Sequence, residues 1–135
     1  MLGPHAPYTN TPEYLSRVVD LAHELGAEIH THLSETKGEV ENIKKQYGKS
    51  PIAWFNDLGL FDTGCLAAHC VWVDDDDMDI MLKKHVRVAH NPGSNLKLAS
   101  GFAPIAKMLK RASPSVSVRM AHRATTTSTS SKKCI

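Results

Sequence analysis

Three histidines each follow a short apolar run of the kind that forms a β-strand in an α/β protein. They are His32, with Glu35 three residues later, His69 and His90. Side chains at the carboxyl ends of neighbouring parallel strands converge on one opening at that end of the sheet, here called the mouth. Imidazole binds zinc and similar ions, and a bound ion lowers the pKa of water to about 7 while a nearby carboxylate moves its proton. The pattern therefore favours metal-assisted hydrolysis.

Spacing alone leaves other roles open for the histidines. A hydrogen-bonded structural role is an equal alternative for each of the three above. His30 shares a strand face with His32, and we expect it to be packed or solvent-bridged rather than a second ligand. His5 lies in a Pro-rich loop, where a substrate contact and a structural role are equally open. His23 and His85 fall on predicted helices and are expected to be solvated.

The elements that must position these side chains alternate between helix and strand. Thr11-Pro12-Glu13 is typical of a helix start and Gly26 of a helix end. The acidic run Asp74–Asp77 is expected to begin a helix rather than to bind a cation. Asn91–Gly101 has turn chemistry. The patterns predict helices at 12–25, 38–47, 50–58, 74–84 and from 103, and strands at 27–33, 65–69 and 86–89.

This alternation predicts a parallel sheet built from βα units. About four units fit in the chain, whereas a complete eightfold barrel needs about 250 residues. The predicted fold class is therefore α/β, a partial (β/α)8 barrel with parallel strands. A doubly wound open sheet is the alternative, although it would collect its site at one switch point.

Composition places the chain among ordinary globular proteins. Its 135 residues are 41% hydrophobic and 22% charged. The first 110 residues carry a net charge of −3, and such a mildly acidic surface does not favour binding to nucleic acid. No apolar run reaches the roughly 20 residues that cross a bilayer, and the start resembles no secretion signal. Cys65, Cys70 and Cys134 have no metal-type spacing, which favours free thiols in the cytoplasm, with Cys70 a small buried filler.

Four motifs occur together in an order and at spacings that resemble one family. They are Gly3-Pro4-His5-Ala6-Pro7-Tyr8, His32-Leu33-Ser34-Glu35-Thr36, Ala67-Ala68-His69-Cys70-Val71 and His90-Asn91-Pro92-Gly93-Ser94-Asn95-Leu96-Lys97-Leu98. As a set they resemble the metal-dependent amidohydrolase superfamily, and most closely its deaminases of 5-methylthioadenosine and S-adenosylhomocysteine. Guanine deaminases and triazine hydrolases are the alternative within the superfamily, but they differ at the first motif.

The resemblance implies a (β/α)8 barrel that removes the exocyclic amine of adenine nucleosides and releases an inosine-type product and ammonia. It implies that His32 is a metal ligand, that Glu35 shuttles the proton and contacts the purine, and that His69 orients the metal-bound hydroxide. His5 would hold the ribose side of the substrate. His90 would position the neighbouring site residues without itself contacting the ion or the substrate. Zinc is the expected ion and a small purine nucleoside the expected partner, with no nucleic-acid or membrane partner.

The sequence departs from the family at two metal-binding motifs. The family takes two ligands from a His-x-His motif on the first barrel strand and one from the aspartate of a Gly-Thr-Asp-Gly motif on the last. Neither motif is present in this sequence. The first three βα units are expected to be missing, so that the chain corresponds to roughly barrel units four to seven. Because zinc takes about four ligands including water, we expect the fragment alone to be inactive.

Residues 111–135 differ from the rest, with five basic residues, no acidic residue and a Ser/Thr-rich stretch at Thr125–Ser131. By composition this segment is a disordered extension. When permitted codons from Lys110 onward are regrouped by one base, they allow the missing Gly-Thr-Asp-Gly motif. We therefore predict a barrel fragment at 1–110 and a frame-shifted tail at 111–135, the non-functional end of a damaged gene. A basic arm on a non-catalytic interaction module is the alternative.

Overall fold

The computed structural model describes residues 1–111 and 118–120. A 3₁₀ turn at Pro7–Thr9 precedes the first helix. The elements then follow as α1 (Pro12–Leu25), β1 (Ile29–Leu33), α2 (Lys37–Tyr47), α3 (Pro51–Asp57), β2 (Cys65–His69), α4 (Asp75–Lys83), β3 (Arg87–His90), α5 (Pro92–Lys97), α6 (Ile105–Arg111) and β4 (Val118–Met120).

Strands β1 to β4 form one parallel sheet in chain order, which confirms the predicted parallel sheet with helical connections. The chain before the 3₁₀ turn extends this sheet at the β1 edge. There the Leu2 N–H donates to the Glu28 carbonyl and the His30 N–H donates to the Leu2 carbonyl, both at 2.8 Å. Neighbouring strands are thus connected in sequence by helices, as in repeated βα units.

One face of the sheet is covered by helices and the other is not. Along β1, Ile29, Thr31 and Leu33 are buried, whereas His30 is exposed and His32 half-buried. Leu33 is fully buried in the hydrophobic core beneath the helices. Burying a side chain of this size contributes about 1.5–3 kcal/mol. The strand period of two therefore separates a packed face from a face that carries histidines.

Capping residues set the helix boundaries that the sequence predicts. The Thr11 hydroxyl accepts from the Tyr14 N–H at 3.3 Å, and Gly26 ends α1 in the left-handed region at φ 57°. Asp74 and Asp77 form a reciprocal capping box at the start of α4. The acidic run is therefore a helix start, as predicted.

Two local predictions are wrong. The stretch predicted as a turn after β3 contains the short helix α5, with Pro92 in its first turn and an Asn95 N–H to Asn91 carbonyl bond of 3.0 Å. Six residues are too few to show helical periodicity in a sequence. His85, predicted on a helix, lies in the turn after α4 at φ 54°. Its imidazole is exposed, as is that of His23 on α1.

The boundary predicted at residue 110 falls within α6. Arg111 is the last residue of this helix and pairs with Asp75 and Asp79 on α4. Within the predicted tail, Val118–Met120 form β4, in register with β3. The rest of that segment, including Thr125–Ser131 and Cys134, lies outside the described residues, so the frame-shifted tail stays a prediction.

Both described cysteines are free and buried. Burial raises the pKa of the Cys65 thiol to about 12 and raises that of Cys70 still further. Such thiols stay protonated and unreactive, in keeping with the packing role expected of Cys70. Within residues 1–111 and 118–120, no helix combines the length and apolar character needed to cross a membrane.

Candidate active site

His32 stands at the carboxyl end of β1 on the uncovered face. Its Nδ1 lies 2.9 Å from the His5 carbonyl, which can only accept, so Nδ1 carries the proton. The lone pair is therefore on Nε2. A backbone carbonyl bonded to one ring nitrogen is the usual way of presenting the other nitrogen to a metal.

His69 reaches the same mouth because its backbone departs from the extended conformation. It is paired in register with Leu33, so regular alternation would direct its side chain toward the helices. Instead its φ is +73°, in the left-handed region, and Cys70 follows at +47°. The His69 ring stacks on His32, with centroids 5.3 Å apart. A strained backbone thus aims this imidazole into the site.

Two polar side chains flank Nδ1 of the His69 ring. The Asn95 Oδ1 accepts from it at 2.7 Å, and the nearer Glu35 carboxylate oxygen lies at 3.6 Å. Both side chains of the His69–Glu35 pair are largely shielded, at 6% and 14% exposure. The structure therefore brings Glu35, His32 and His69 together, as the sequence predicts.

His5 completes this group from the edge of the sheet. Its ring centroid lies 4.9 Å from that of His32 and 6.1 Å from that of Tyr8. Its Nδ1 lies 3.1 Å from the Thr9 hydroxyl, and the ring is exposed. An accessible imidazole held at the rim is suited to contacting a bound molecule.

His90 and His30 lie near this group without joining its ring contacts. The His90 Nδ1 is buried without a hydrogen-bond partner among the described residues, and burial lowers the His90 pKa. His90 and Asn95 both line a cavity of about 160 Å³. His30 lies two residues before His32 on the same face. Although the residue is exposed, partial desolvation of its ring lowers the His30 pKa, and the His32 charge lowers it further.

Glu39, which the sequence motifs do not single out, holds the turn between β1 and α2. Its buried carboxylate accepts from the Ser34 N–H at 2.7 Å and from the Glu35 N–H at 2.9 Å. Ser34 is in the left-handed region at φ 52°. Burial raises the Glu39 pKa against these hydrogen bonds, which lower it. Glu39 thereby fixes the backbone from which Glu35 projects.

A signal for Glu39 was present in the sequence. Thr36 and Glu39 have the spacing of a capping box, and the Thr36 hydroxyl does accept from the Glu39 N–H at 3.2 Å. The Glu39 carboxylate, however, caps the two residues before Thr36. Asn95 lies within the fourth motif, but only the fold places it beside His69.

The residues described do not fit a complete metal site. Among residues 1–111 and 118–120, no group of three or more His, Cys, Asp or Glu side chains is arranged to hold an ion. His32 has the free Nε2 of a ligand, but one imidazole is far from the roughly four ligands that zinc takes.

The chain belongs to the amidohydrolase family, which matches residues 1–129. It is 60% identical over 111 residues to a 5-methylthioadenosine/S-adenosylhomocysteine deaminase of Dictyoglomus thermophilum, covering 82% of this chain and 26% of that relative. It is 57% identical over 109 residues to the deaminase of the same name from Moorella thermoacetica, covering 81% and 26%. The resemblance seen in the four motifs is thus confirmed.

A solved structure shows the same arrangement of elements. An adenosine deaminase from Xanthomonas campestris with bound zinc superimposes with a TM-score of 0.80 at 40% identity, over 87% of this chain and 26% of that one. The chain therefore spans about a quarter of the length of the proteins it matches.

Proposed function

We propose that this chain is part of a metal-dependent hydrolase that deaminates adenosine-type nucleosides, with 5-methylthioadenosine and S-adenosylhomocysteine as its substrate class. The observation that carries the proposal is the convergence of His5, His32, Glu35 and His69 on one mouth. The 60% identity to a deaminase named for those two substrates supports the choice of substrate. The products are an inosine-type nucleoside and ammonia.

Each residue takes a role that its surroundings support. The Glu35 carboxylate moves a proton between the attacking water and the departing amine, and contacts the purine. The lone-pair nitrogen of His69 orients that water. His5, exposed at the rim, holds the ribose side of the nucleoside. His32 offers its Nε2 to the ion. His90 positions neighbouring residues of the mouth without contacting the ion or the substrate.

We further propose that the sheet is an arc of a (β/α)8 barrel whose interior is the uncovered face. Helices on one face only, and polar residues at the carboxyl ends of the strands, support this fold. In an arc, His32 lacks the metal ligands of other strands. The chain alone therefore has no deaminase activity. A cytoplasmic location is supported by the two thiols among the described residues, which are free and buried.

A chimaera tests the function. The aligned segment of the Dictyoglomus thermophilum relative would be replaced by residues 1–111 of this chain, and ammonia release from 5-methylthioadenosine would be measured. Retained activity that Glu35→Gln lowers by about 10²–10⁴-fold is expected for a lost proton shuttle. A folded chimaera that prefers guanine would support the guanine deaminase alternative, and one active on neither would refute the proposal.

Zinc titration of the chain by calorimetry tests the incomplete site. We expect only weak binding, because structural and catalytic zinc sites need several deprotonated ligands held together. One-to-one binding tighter than about micromolar, abolished by His32→Ala, would show that the chain assembles a metal site by itself.

A frame shift near Lys110 is our proposal for the tail. Two curated relatives align over 111 and 109 of the 135 residues. The family match runs on to residue 129, so it does not support a boundary at this point. Sequencing the coding DNA decides the matter. If the bases across Arg119–Ala121 do not spell GAT or GAC followed by GGN in the shifted frame, the proposal fails.

A further inference from the structure

Asn95 is a deeply buried polar side chain in contact with His69, and the proposed function gives it no task. It is 1% exposed on α5, and its Oδ1 lies 2.7 Å from Nδ1 of His69, a residue 26 positions earlier in the chain. An amide oxygen only accepts hydrogen bonds, so His69 donates from Nδ1. We propose that Asn95 is a positioning residue that locks His69 in the Nδ1–H tautomer.

This lock decides what His69 can do. With the proton on Nδ1, the lone pair is on Nε2, which can then accept a hydrogen bond or a proton from a water molecule. With the opposite tautomer, Nε2 would be a donor and could not accept. The catalytic consequence rests on the proposed function, whereas the tautomer is a property of this chain alone.

Glu35 is the competing partner, and distance argues against it. Its nearer carboxylate oxygen is 3.6 Å from Nδ1 of His69, beyond the range of a hydrogen bond. Because Asn95 occupies the ring nitrogen, the Glu35 carboxylate stays available for substrate. A neutral amide also avoids placing a second negative charge beside Glu35.

The unused half of the Asn95 amide argues against a purely structural role. Its Nδ2 is buried without a hydrogen-bond partner among the described residues. A buried donor left without a partner destabilises a fold, so packing alone would favour an apolar residue at this position. The contact with His69 is what the asparagine supplies.

The test is a long-range ¹H–¹⁵N spectrum of the imidazoles in the ¹⁵N-labelled chain at alkaline pH, where the two tautomers give distinct ¹⁵N shifts. We expect His69 to be in the Nδ1–H form. Asn95→Leu should convert it to a mixture, because the acceptor is gone. Asn95→Asp, which keeps the acceptor, Glu35→Gln and the neighbouring exposed Ser94→Ala should all leave it unchanged.

Three results would overturn the lock. They are a wild-type His69 in the Nε2–H form, an unchanged tautomer in folded Asn95→Leu, and a tautomer change in Glu35→Gln instead. If Asn95→Leu does not fold, the wild-type and Glu35→Gln spectra still decide, because they identify the tautomer and test the rival acceptor.

The chimaera separates this inference from the proposed function. There Asn95→Leu should lower kcat by up to about 100-fold with KM little changed, as for a misplaced catalytic group, and Asn95→Asp should restore part of the rate. A folded but inactive chimaera would refute the proposed function and leave the tautomer result standing. An active chimaera whose kcat is insensitive to Asn95→Leu would refute the positioning role.

Discussion

The two faces of the sheet are built by different rules. On the helix-covered face, side chains follow strict alternation, as Ile29, Thr31 and Leu33 do, and all are buried. At the mouth of the uncovered face, alternation fails: Ser34 and His69 have positive φ values of 52° and 73°. Residues held in that region cost about 1–3 kcal/mol each.

The covered face stabilises the folded state, whereas several features of the mouth destabilise it. The covered face gains hydrophobic burial from every second residue. At the mouth, the strained backbone and the buried carboxylate of Glu39 offset part of this stabilisation. Substitutions on the covered face and at the mouth should therefore change the free energy of unfolding by different amounts and with a different dependence on pH.

The largest expected difference is between two residues of one strand. Leu33→Ala, on the covered face, should lower the free energy of unfolding by about 2–5 kcal/mol, because it opens a cavity in the core. His30→Ala, on the uncovered face and exposed, should change it by less than about 0.5 kcal/mol. Urea denaturation of both variants measures the contrast, and equal losses would show that the second face is also packed.

The next effect concerns the turn before α2. Glu39→Gln should lower the free energy of unfolding by about 1–3 kcal/mol, because the amide keeps one acceptor and turns a donor toward the other N–H. Glu41→Gln is the matched control on the same helix, since its carboxylate is exposed in an i,i+4 pair with Lys37. A loss no larger than the control's would mean that the two hydrogen bonds of Glu39 do not hold the turn.

The pH dependence of stability should also reveal Glu39. Burial raises its pKa above the ordinary 4.5, so the folded state binds the proton more tightly than the unfolded state. This contribution to stability is present below pH 4.5 and is lost as the pH rises through the folded value. Asp77, whose pKa burial also raises, acts in the same direction.

Subtracting the Glu39→Gln unfolding curves from the wild-type curves isolates the Glu39 contribution, because Asp77 is common to both. The difference should fall as the pH rises from below 4.5. A difference that grows with pH would mean that the hydrogen bonds to the carboxylate outweigh its burial.

The smallest effect is expected at His30. The His30 pKa is lowered from 6.5 by partial desolvation of its ring and then by the His32 charge. Neutral His30 is therefore favoured in the folded state, and its contribution to stability is lost as the pH falls through the window just below 6.5. NMR titration of the ring should show a midpoint below that of a model peptide. His32→Ala should raise that midpoint partway, and no change would assign the shift to burial alone.

Much of the fold was predictable because its signals are local. The caps at Thr11, Gly26 and Asp74 mark helix ends through bonds to residues within four positions. Strand β2 was predicted with the bounds it has, Cys65–His69. Helix α5 was missed because a six-residue helix carries no periodicity that could distinguish it from a turn.

The residues that form the site were predictable from the sequence, but the residues that hold them in place were not. His5, His32, Glu35 and His69 were identified from motifs, and the parallel sheet brings them together. The capping-box spacing marks Glu39 but does not predict its bonds to the Ser34 and Glu35 N–H groups, and nothing in the sequence places Asn95 beside His69. Both contacts depend on where the fold places a backbone or ring nitrogen.

The sequence by itself determined which residues are apolar, where helices begin and end, and which chemical groups follow each strand, since these depend on composition and short spacing. Only the tertiary structure decided the direction of His69. A sign change in one backbone angle turns its ring from the helices to His32, and no periodic pattern encodes that angle. It likewise decided that Asn95 meets His69, because their contact spans 26 residues and exists only once β2 and α5 are packed together.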